Sequence, residues 1–178
     1  MPRFISLLRG INVGGNKIIK MADLKALYAA LGFTEITTLL QSGNVVFNSD
    51  AAPLPELTQK IETAIVATYG FDSKIILRTP EEWRSLMDEQ PFTPEQMQDP
   101  SKVLVWLLQA APDSDYPQSI IAQYSGVEQM MLRHHHLYVY YAEGMGKSKL
   151  DNAFVEKKLK LIGTARNWNT IQKIAAVV

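Results

Sequence analysis

The chain contains no cysteine. Disulfides, thiolate nucleophiles and thiolate metal ligands are therefore excluded. It also lacks an excess of charge of either sign, with 18 Lys and Arg against 18 Asp and Glu. No overall field then recruits nucleic acid or an anionic membrane, although a local patch is still allowed. Long hydrophobic runs are missing as well, and nothing approaches the roughly 20 apolar residues that cross a bilayer. The opening MPRFISLLRGINVGG has one early Arg and a short apolar run broken by Arg9. Without a long apolar segment or a small-residue cleavage site it does not read as a secretory signal. These absences lead to the expectation of a soluble, cytoplasmic protein with no membrane partner.

What is present is ordinary for a globular protein: 178 residues, 47% hydrophobic and 20% charged. That length holds one domain or two small ones, each with its own core. Phe4 to Ile11 reads as a strand entering the Gly-rich loop NVGGNK. Leu24, Leu27, Tyr28 and Leu31 share one helical face, which Gly32 ends. Glu35 to Gln41 and Val45 to Asn48 are strands around the turn SGN. Leu57, Ile61, Ala64, Ile65 and Thr68 mark a second helix, entered through Pro53 and Pro55 and stopped at Gly70. Lys74 to Arg78 is a strand, and Thr79-Pro80-Glu81-Glu82 carries the capping Thr and the Glu three residues on that open a helix.

The segment PFTPEQMQDPS, Pro91 to Ser101, holds three prolines and little that packs, and a linker is expected over 93–101. The element order then repeats. Val103 to Leu108 is a strand, Pro117 to Tyr124 a helix, Glu128 to Arg133 and Leu137 to Tyr141 a hairpin. Leu150 to Ile162 is a helix, Thr164 to Arg166 a strand and Trp168 to Val177 a last helix. Both halves spell β-α-β-β-α-β-α. The expected fold is α+β: two tandem ferredoxin-like β-α-β-β-α-β repeats, residues 1–92 and 102–178, each an antiparallel sheet with helices packed on one face. With the first and third strands taken to run the same way, the loops leaving them share one rim. Those loops are RGINVGGNK and NSDAAP in the first half, QAAPDSD and AEGMGKS in the second.

Two glycine loops are the candidate ligand sites. In RGINVGGNK, Arg9 has the fork that suits a carboxylate or phosphate, Asn12 and Asn16 are donors, and Gly14 with Gly15 lets a ligand approach the backbone. In GMGKS, between a strand and a helix, successive amides can cradle an anion at Gly146, Lys147, Ser148 and Lys149. The full phosphate-binding loop needs a Gly where Tyr141 stands, so a magnesium-dependent nucleotidase of that type is excluded. The plainer account of GMGKS is structural: Ser148 and Asp151 have capping-box spacing, and the glycines supply the turn. QSGNVVF reads first as a hairpin with Gly43 or Asn44 at positive φ, and second as a place where Asn44 faces a pocket. Arg166 and Asn167 stand at a strand-to-helix junction, where an Asn cap and Trp168 as a core plug are the simpler account. His134, His135 and His136 lack a patterned third ligand, so a solvated hairpin turn is expected there and no metal. No H-E-x-x-H or G-x-S-x-G occurs and no nucleophile–base pair can be named, so catalytic residues are left unassigned.

LRGINVGG near the start, LGF and LQSGNVVF in the middle, and GMGKSKL with TARNWNT near the end resemble a bacterial family known as domain of unknown function 1697. The matching positions are Arg9, Gly10, Asn12, Gly14, Gly15, Ser42, Gly43, Asn44, Gly146, Ser148, Lys149, Arg166, Asn167 and Trp168. The resemblance implies two ferredoxin-like repeats and brings no activity, substrate or cofactor with it.

The expected function is binding of, or action on, a small anionic or phosphorylated ligand through the glycine-rich strand-to-helix loops, with no cofactor. An alternative is an interaction or scaffold module whose sheet edges pair with a partner or a second copy, giving a homo-oligomer. RNA binding ranks last. Trp106, Tyr138, Tyr140 and Tyr141 lie on strands that would present stacking aromatics, but the charge balance and the missing signature argue against a nucleic-acid partner.

Overall fold

A computed structural model describes residues 1–50 and 53–178. The chain divides into two compact units, Met1–Ser85 with Lys173–Val178, and Leu86–Gln172. The elements of the first are β1 (Arg3–Leu8), α1 (Met21–Ala30), β2 (Thr34–Leu39), β3 (Asn44–Asn48), α2 (Leu54–Tyr69) and β4 (Ile75–Arg78). Helix α3 (Pro80–Asp88) crosses the division, and the second unit continues with α4 (Pro94–Met97), β5 (Val103–Leu108), α5 (Tyr116–Ala122), β6 (Gln129–Arg133), β7 (His136–Tyr140) and β8 (Gly163–Asn167). Helix α6 (Trp168–Ala175) crosses back.

Each unit contains a four-stranded antiparallel sheet, ordered β2-β3-β1-β4 and β6-β7-β5-β8. The fold is α+β, and its two sheet-and-helix units fit tandem repeats. The registers agree strand for strand. Ile5 lies opposite Val46 and Arg78, while Val105 lies opposite Tyr138 and Arg166. Leu7 faces Asn44 as Leu107 faces His136. Arg78 and Arg166 are thus equivalent positions, both buried, and in each Nη1 donates to the carbonyl of the preceding residue at 2.8 Å.

Strand alternation sends one set of side chains to the helices. In the first unit Phe4, Leu8, Val45, Phe47, Ile75 and Leu77 meet Leu24, Leu27, Tyr28, Leu57, Ile61 and Ile65 in one core. Ser6 shares that face and is satisfied by the Tyr28 hydroxyl at 2.7 Å. In the second unit Trp106, Leu108, Leu137, Val139 and Tyr141 pack with Val155 and Leu159. The opposite faces are buried too, through Ile5, Leu7, Val46 and Ile76 in one sheet and Val103, Val105, Leu107 and Tyr138 in the other, where the Tyr138 hydroxyl donates to the Leu86 carbonyl of α3 at 2.7 Å. Trp106, Tyr138 and Tyr141 are therefore core residues, which removes three of the four aromatics considered as a stacking platform for RNA.

Three expectations change. The shared rim is not formed: β3 runs antiparallel to β1 and β7 antiparallel to β5, so the paired loops lie at opposite ends of each sheet. A strand–helix–strand crossover brings β2 back in the direction of β1, and the hairpin then reverses β3. Within the NSDAAP loop, Ala51 and Ala52 lie outside the described residues. The helix expected over Leu150 to Ile162 contracts to a stretch ending in a π-helical turn, Phe154–Lys158, where the Leu159 amide reaches back to the Phe154 carbonyl. Asp151 rather than Ser148 holds its start, accepting the Phe154 amide at 3.0 Å. Lys160, at φ 57°, ends any continuation. Finally, the stretch expected as a linker contains α4, where Thr93 and Gln96 cap each other's amides.

Candidate functional site

The β1–α1 corner is built on backbone pairing. Leu8 donates to the Gly43 carbonyl and Arg9 to the Lys74 carbonyl, each at 2.9 Å, and the Ser73 hydroxyl donates to the Arg9 carbonyl at 2.9 Å. The loop after β1 therefore meets the β2–β3 turn and the start of β4. Asn12, at φ 55°, locks the base of the loop. Its Oδ1 accepts the Ile19 amide at 2.8 Å, and its Nδ2 donates to the carbonyls of Ile19 at 3.0 Å and Gln41 at 2.7 Å. The expected ligand donor is thus a strut, because an Asn side chain has two donors and one acceptor atom and all are used locally.

Above that strut the chain makes a small hairpin: Asn16 donates to the Val13 carbonyl at 3.0 Å, and Asn12 to the Lys17 carbonyl at 3.2 Å. Gly14 and Gly15 form its exposed tip at φ 57° and 77°, a conformation glycine adopts without strain. Asn16 leans back onto the Gly14 carbonyl at 3.4 Å. Lys17 pins the far side through Asp72 at 3.2 Å and holds that carboxyl below the usual aspartate range. Beyond it Lys20 stands at the capping position just before α1 and gives the first turn no side-chain cap. Helices α3 and α6, by contrast, are capped by Thr79 on the Glu82 amide and Asn167 on the Thr170 amide. A cavity of about 490 Å³ adjoins this corner, lined by one face of α2 and by Asp72, Ser73 and Lys74.

Asn44 is buried and bonds inward, Nδ2 donating to the Leu39 carbonyl at 2.8 Å and to the Ser42 hydroxyl at 3.0 Å. It completes the Leu40–Gly43 turn rather than facing a pocket. Gly43 supplies the positive φ that the sequence leaves open between the two residues, at 74°.

The second corner follows β7, the counterpart of β3, so the two glycine loops are not equivalent positions of the repeat. Gly144 turns the chain at φ 86° and Met145–Lys147 forms a 3₁₀ turn. Gly146, Lys147 and Lys149 are exposed. Ser148 accepts the Leu150 amide at 2.9 Å. Its hydroxyl also bonds the Glu128 carboxylate, which accepts from the Tyr124 hydroxyl at 2.5 Å as well. These two donors, Ser148 first, hold the Glu128 carboxyl below the usual glutamate range. Burial first, and then the bond to Glu128, raise the Tyr124 hydroxyl to about 12. The anion beside this corner is the protein's own.

Arg166 and Asn167 reach the same end of the second sheet as GMGKS, since β7 and β8 flank β5 in one direction. The Arg166 side chain is nonetheless buried, with Nη1 on the Thr164 hydroxyl at 2.8 Å, and desolvation lowers it to about 10. Asn167 is spent as the α6 cap. The twelve candidates thus divide by unit: Arg9, Asn12, Gly14, Gly15, Asn16 and Asn44 in one, Gly146, Lys147, Ser148, Lys149, Arg166 and Asn167 in the other. Sequence reasoning passed over Lys20 and Glu128. Lys20 had a signal, a basic residue where a capping Ser, Thr, Asp or Asn is usual. His134 and His135 form the β6–β7 turn as expected, with His134 at φ 49°, while His136 is buried at the head of β7. Among the described residues no cluster of metal-ligating side chains and no helix long and apolar enough to cross a membrane is present.

A family model described as protein of unknown function (DUF1697) matches residues 1–138. Among solved structures, a conserved bacterial protein of Streptococcus pneumoniae, SP0830, is similar over 99% of this chain and 98% of its own, at 24% identity and a TM-score of 0.75. That likeness is one of fold. No curated protein matches the chain.

Proposed function

This chain belongs to the DUF1697 family of proteins of unknown function, and from that premise we propose that it binds a small anionic or phosphorylated ligand at the β1–α1 corner. The observation that carries the reading is the uncapped start of α1 behind a glycine-tipped loop. The first-turn amides of a ten-residue helix need acceptors, and an anion answers both them and the helix dipole. Lys20 stands at that terminus, Arg9 and Lys17 in the loop leading to it. Gly14 and Gly15 leave the backbone open to close approach. Asn12 and the Lys17–Asp72 pair contribute rigidity, so little ordering entropy is left for the ligand to offset. GMGKS supports the reading less, because Glu128 already occupies its neighbourhood. We place the protein in the cytoplasm, where a chain without cysteine loses nothing to a reducing compartment. The proposal is one of binding, and no catalytic step is assigned.

Thermal unfolding with inorganic phosphate and with a nucleotide mixture tests it. A ligand at 100 times its dissociation constant adds about 2.7 kcal/mol of apparent stability. Arg9→Ala is expected to abolish the rise. Lys20→Asp is expected to raise the ligand-free melting temperature, since an Asp cap is worth about 1 kcal/mol, while reducing the response to phosphate because the site then carries its own carboxylate. A phosphate response that is the same in both variants as in the parent removes the proposal.

A further inference from the structure

The four outer strands of the two sheets are not alike. β2 carries a register shift between Thr34 and Thr37, with Glu35 at φ 49°, a bulge of the kind that blunts an edge. All four residues of β4 are buried, and β8 is mostly buried. β6 is regular along its whole length, and Met131 at its centre is 39% exposed. We propose that β6 pairs antiparallel with β6 of a second copy of this chain, about a two-fold axis through Met131.

The hydrogen-bonding parity supports this register. The His135 carbonyl and the Tyr141 amide point to β5, so His136, Tyr138 and Tyr140 point to β6. Their partners Arg133, Met131 and Gln129 are therefore turned inward. Alternation leaves the amides and carbonyls of Met130 and Leu132 facing outward. A two-fold axis at Met131 sets Met130 of one copy opposite Leu132 of the other, which joins outward groups to outward groups. A shift of one residue would oppose outward to inward groups and make no ladder.

Charge fits the same register. Arg133, the single charged residue of β6, comes opposite Gln129, so no like charges face each other. One step further out, Glu128 comes opposite His134, whose side chain is 73% exposed. The chain's zero net charge offers no repulsion between copies. An isologous two-fold contact is also the commonest way for a chain to associate with itself. This inference stands apart from the anion site, which lies in the other unit.

Sedimentation across a concentration series tests it, with a shift from monomer to dimer expected in the parent. Met131→Glu sets two carboxylates against each other at the axis and is expected to abolish the dimer, with the melting temperature of the dilute protein unchanged. Because the chain has no cysteine, Met131→Cys offers a specific reporter. At the axis its two copies form a non-hydrogen-bonded pair close enough for a disulfide, so mild oxidation is expected to give a covalent dimer. Val127→Cys, 58% exposed outside the strand, is the control expected to give none. A parent that is monomeric throughout overturns the inference. So does a dimer that survives Met131→Glu, or one that Met131→Cys fails to crosslink.

Discussion

Gly43 carries two constraints that no other residue type satisfies together. Its φ of 74° lies in the left-handed region, and a Cβ there would stand 2.6 Å from Ile11 Cδ1 and 2.9 Å from Leu8 Cβ. Gly70, which ends α2 at the same φ of 74°, has nothing within 4 Å of that point. Gly43→Ala therefore adds overpacking, typically about 1–3 kcal/mol, to the backbone penalty of about 1–2 kcal/mol that Gly70→Ala also incurs. Chemical denaturation is expected to find Gly43→Ala the less stable by that margin. Equal losses would show that Ile11 and Leu8 yield freely. Such residues were legible in outline from the sequence, because a Gly between two strands signals positive φ. The contact with Ile11 was not, since Ile11 reaches Gly43 only after the β1 loop folds back. Asn12 shows the same limit. Its identity suggested a donor, and only its three local bonds reveal that the donors are used.

Elements with long apolar periods are legible in the sequence. The α2 pattern ran from its prolines to Gly70, and β5 matched residue for residue. The helix expected over Leu150 to Ile162 is cut short because its apolar spacing suits a π turn as well as an α-helix, and because Lys160 at positive φ leaves no trace in composition. The GMGKS corner beside it holds a titratable device of its own. Ser148 and Tyr124 keep Glu128 ionised below its ordinary value of 4.5. A carboxyl lowered on folding stabilises the folded state above its unfolded value and loses that contribution as pH falls through the folded one. Glu128→Gln, which cannot ionise, lacks the contribution altogether. The melting temperature of the parent is thus expected to exceed that of Glu128→Gln near neutral pH, with the gap closing below 4.5. A gap that persists unchanged through strongly acid pH would show that charge has no part in it, leaving shape alone.

Over the whole molecule, the repeat was visible as an order of elements and became firm only as a register. Arg78 and Arg166 share a place that their neighbours, Leu-Arg-Thr-Pro and Ala-Arg-Asn-Trp, barely betray. The direction of the strands follows from the element order itself, against the expectation that β1 and β3 run the same way. One crossover and one hairpin oblige β3 to oppose β1, so the loops on either end could never share a rim. Burial on both faces of each sheet bears on nucleic acid. A sheet that binds RNA must leave one face open for bases to stack on aromatic rings, yet Trp106, Tyr138 and Tyr141 are no more than 3% exposed. Phosphate attraction does not make good the loss, because 18 cations are matched by 18 anions. Mixed-sequence RNA at low salt is therefore expected to migrate unshifted in the presence of the protein. A retarded band that fades as salt is raised would mean that a basic surface gathers phosphates after all. It would turn the β1–α1 corner, with Arg9, Lys17 and Lys20, from the small-molecule site proposed above into part of a longer groove.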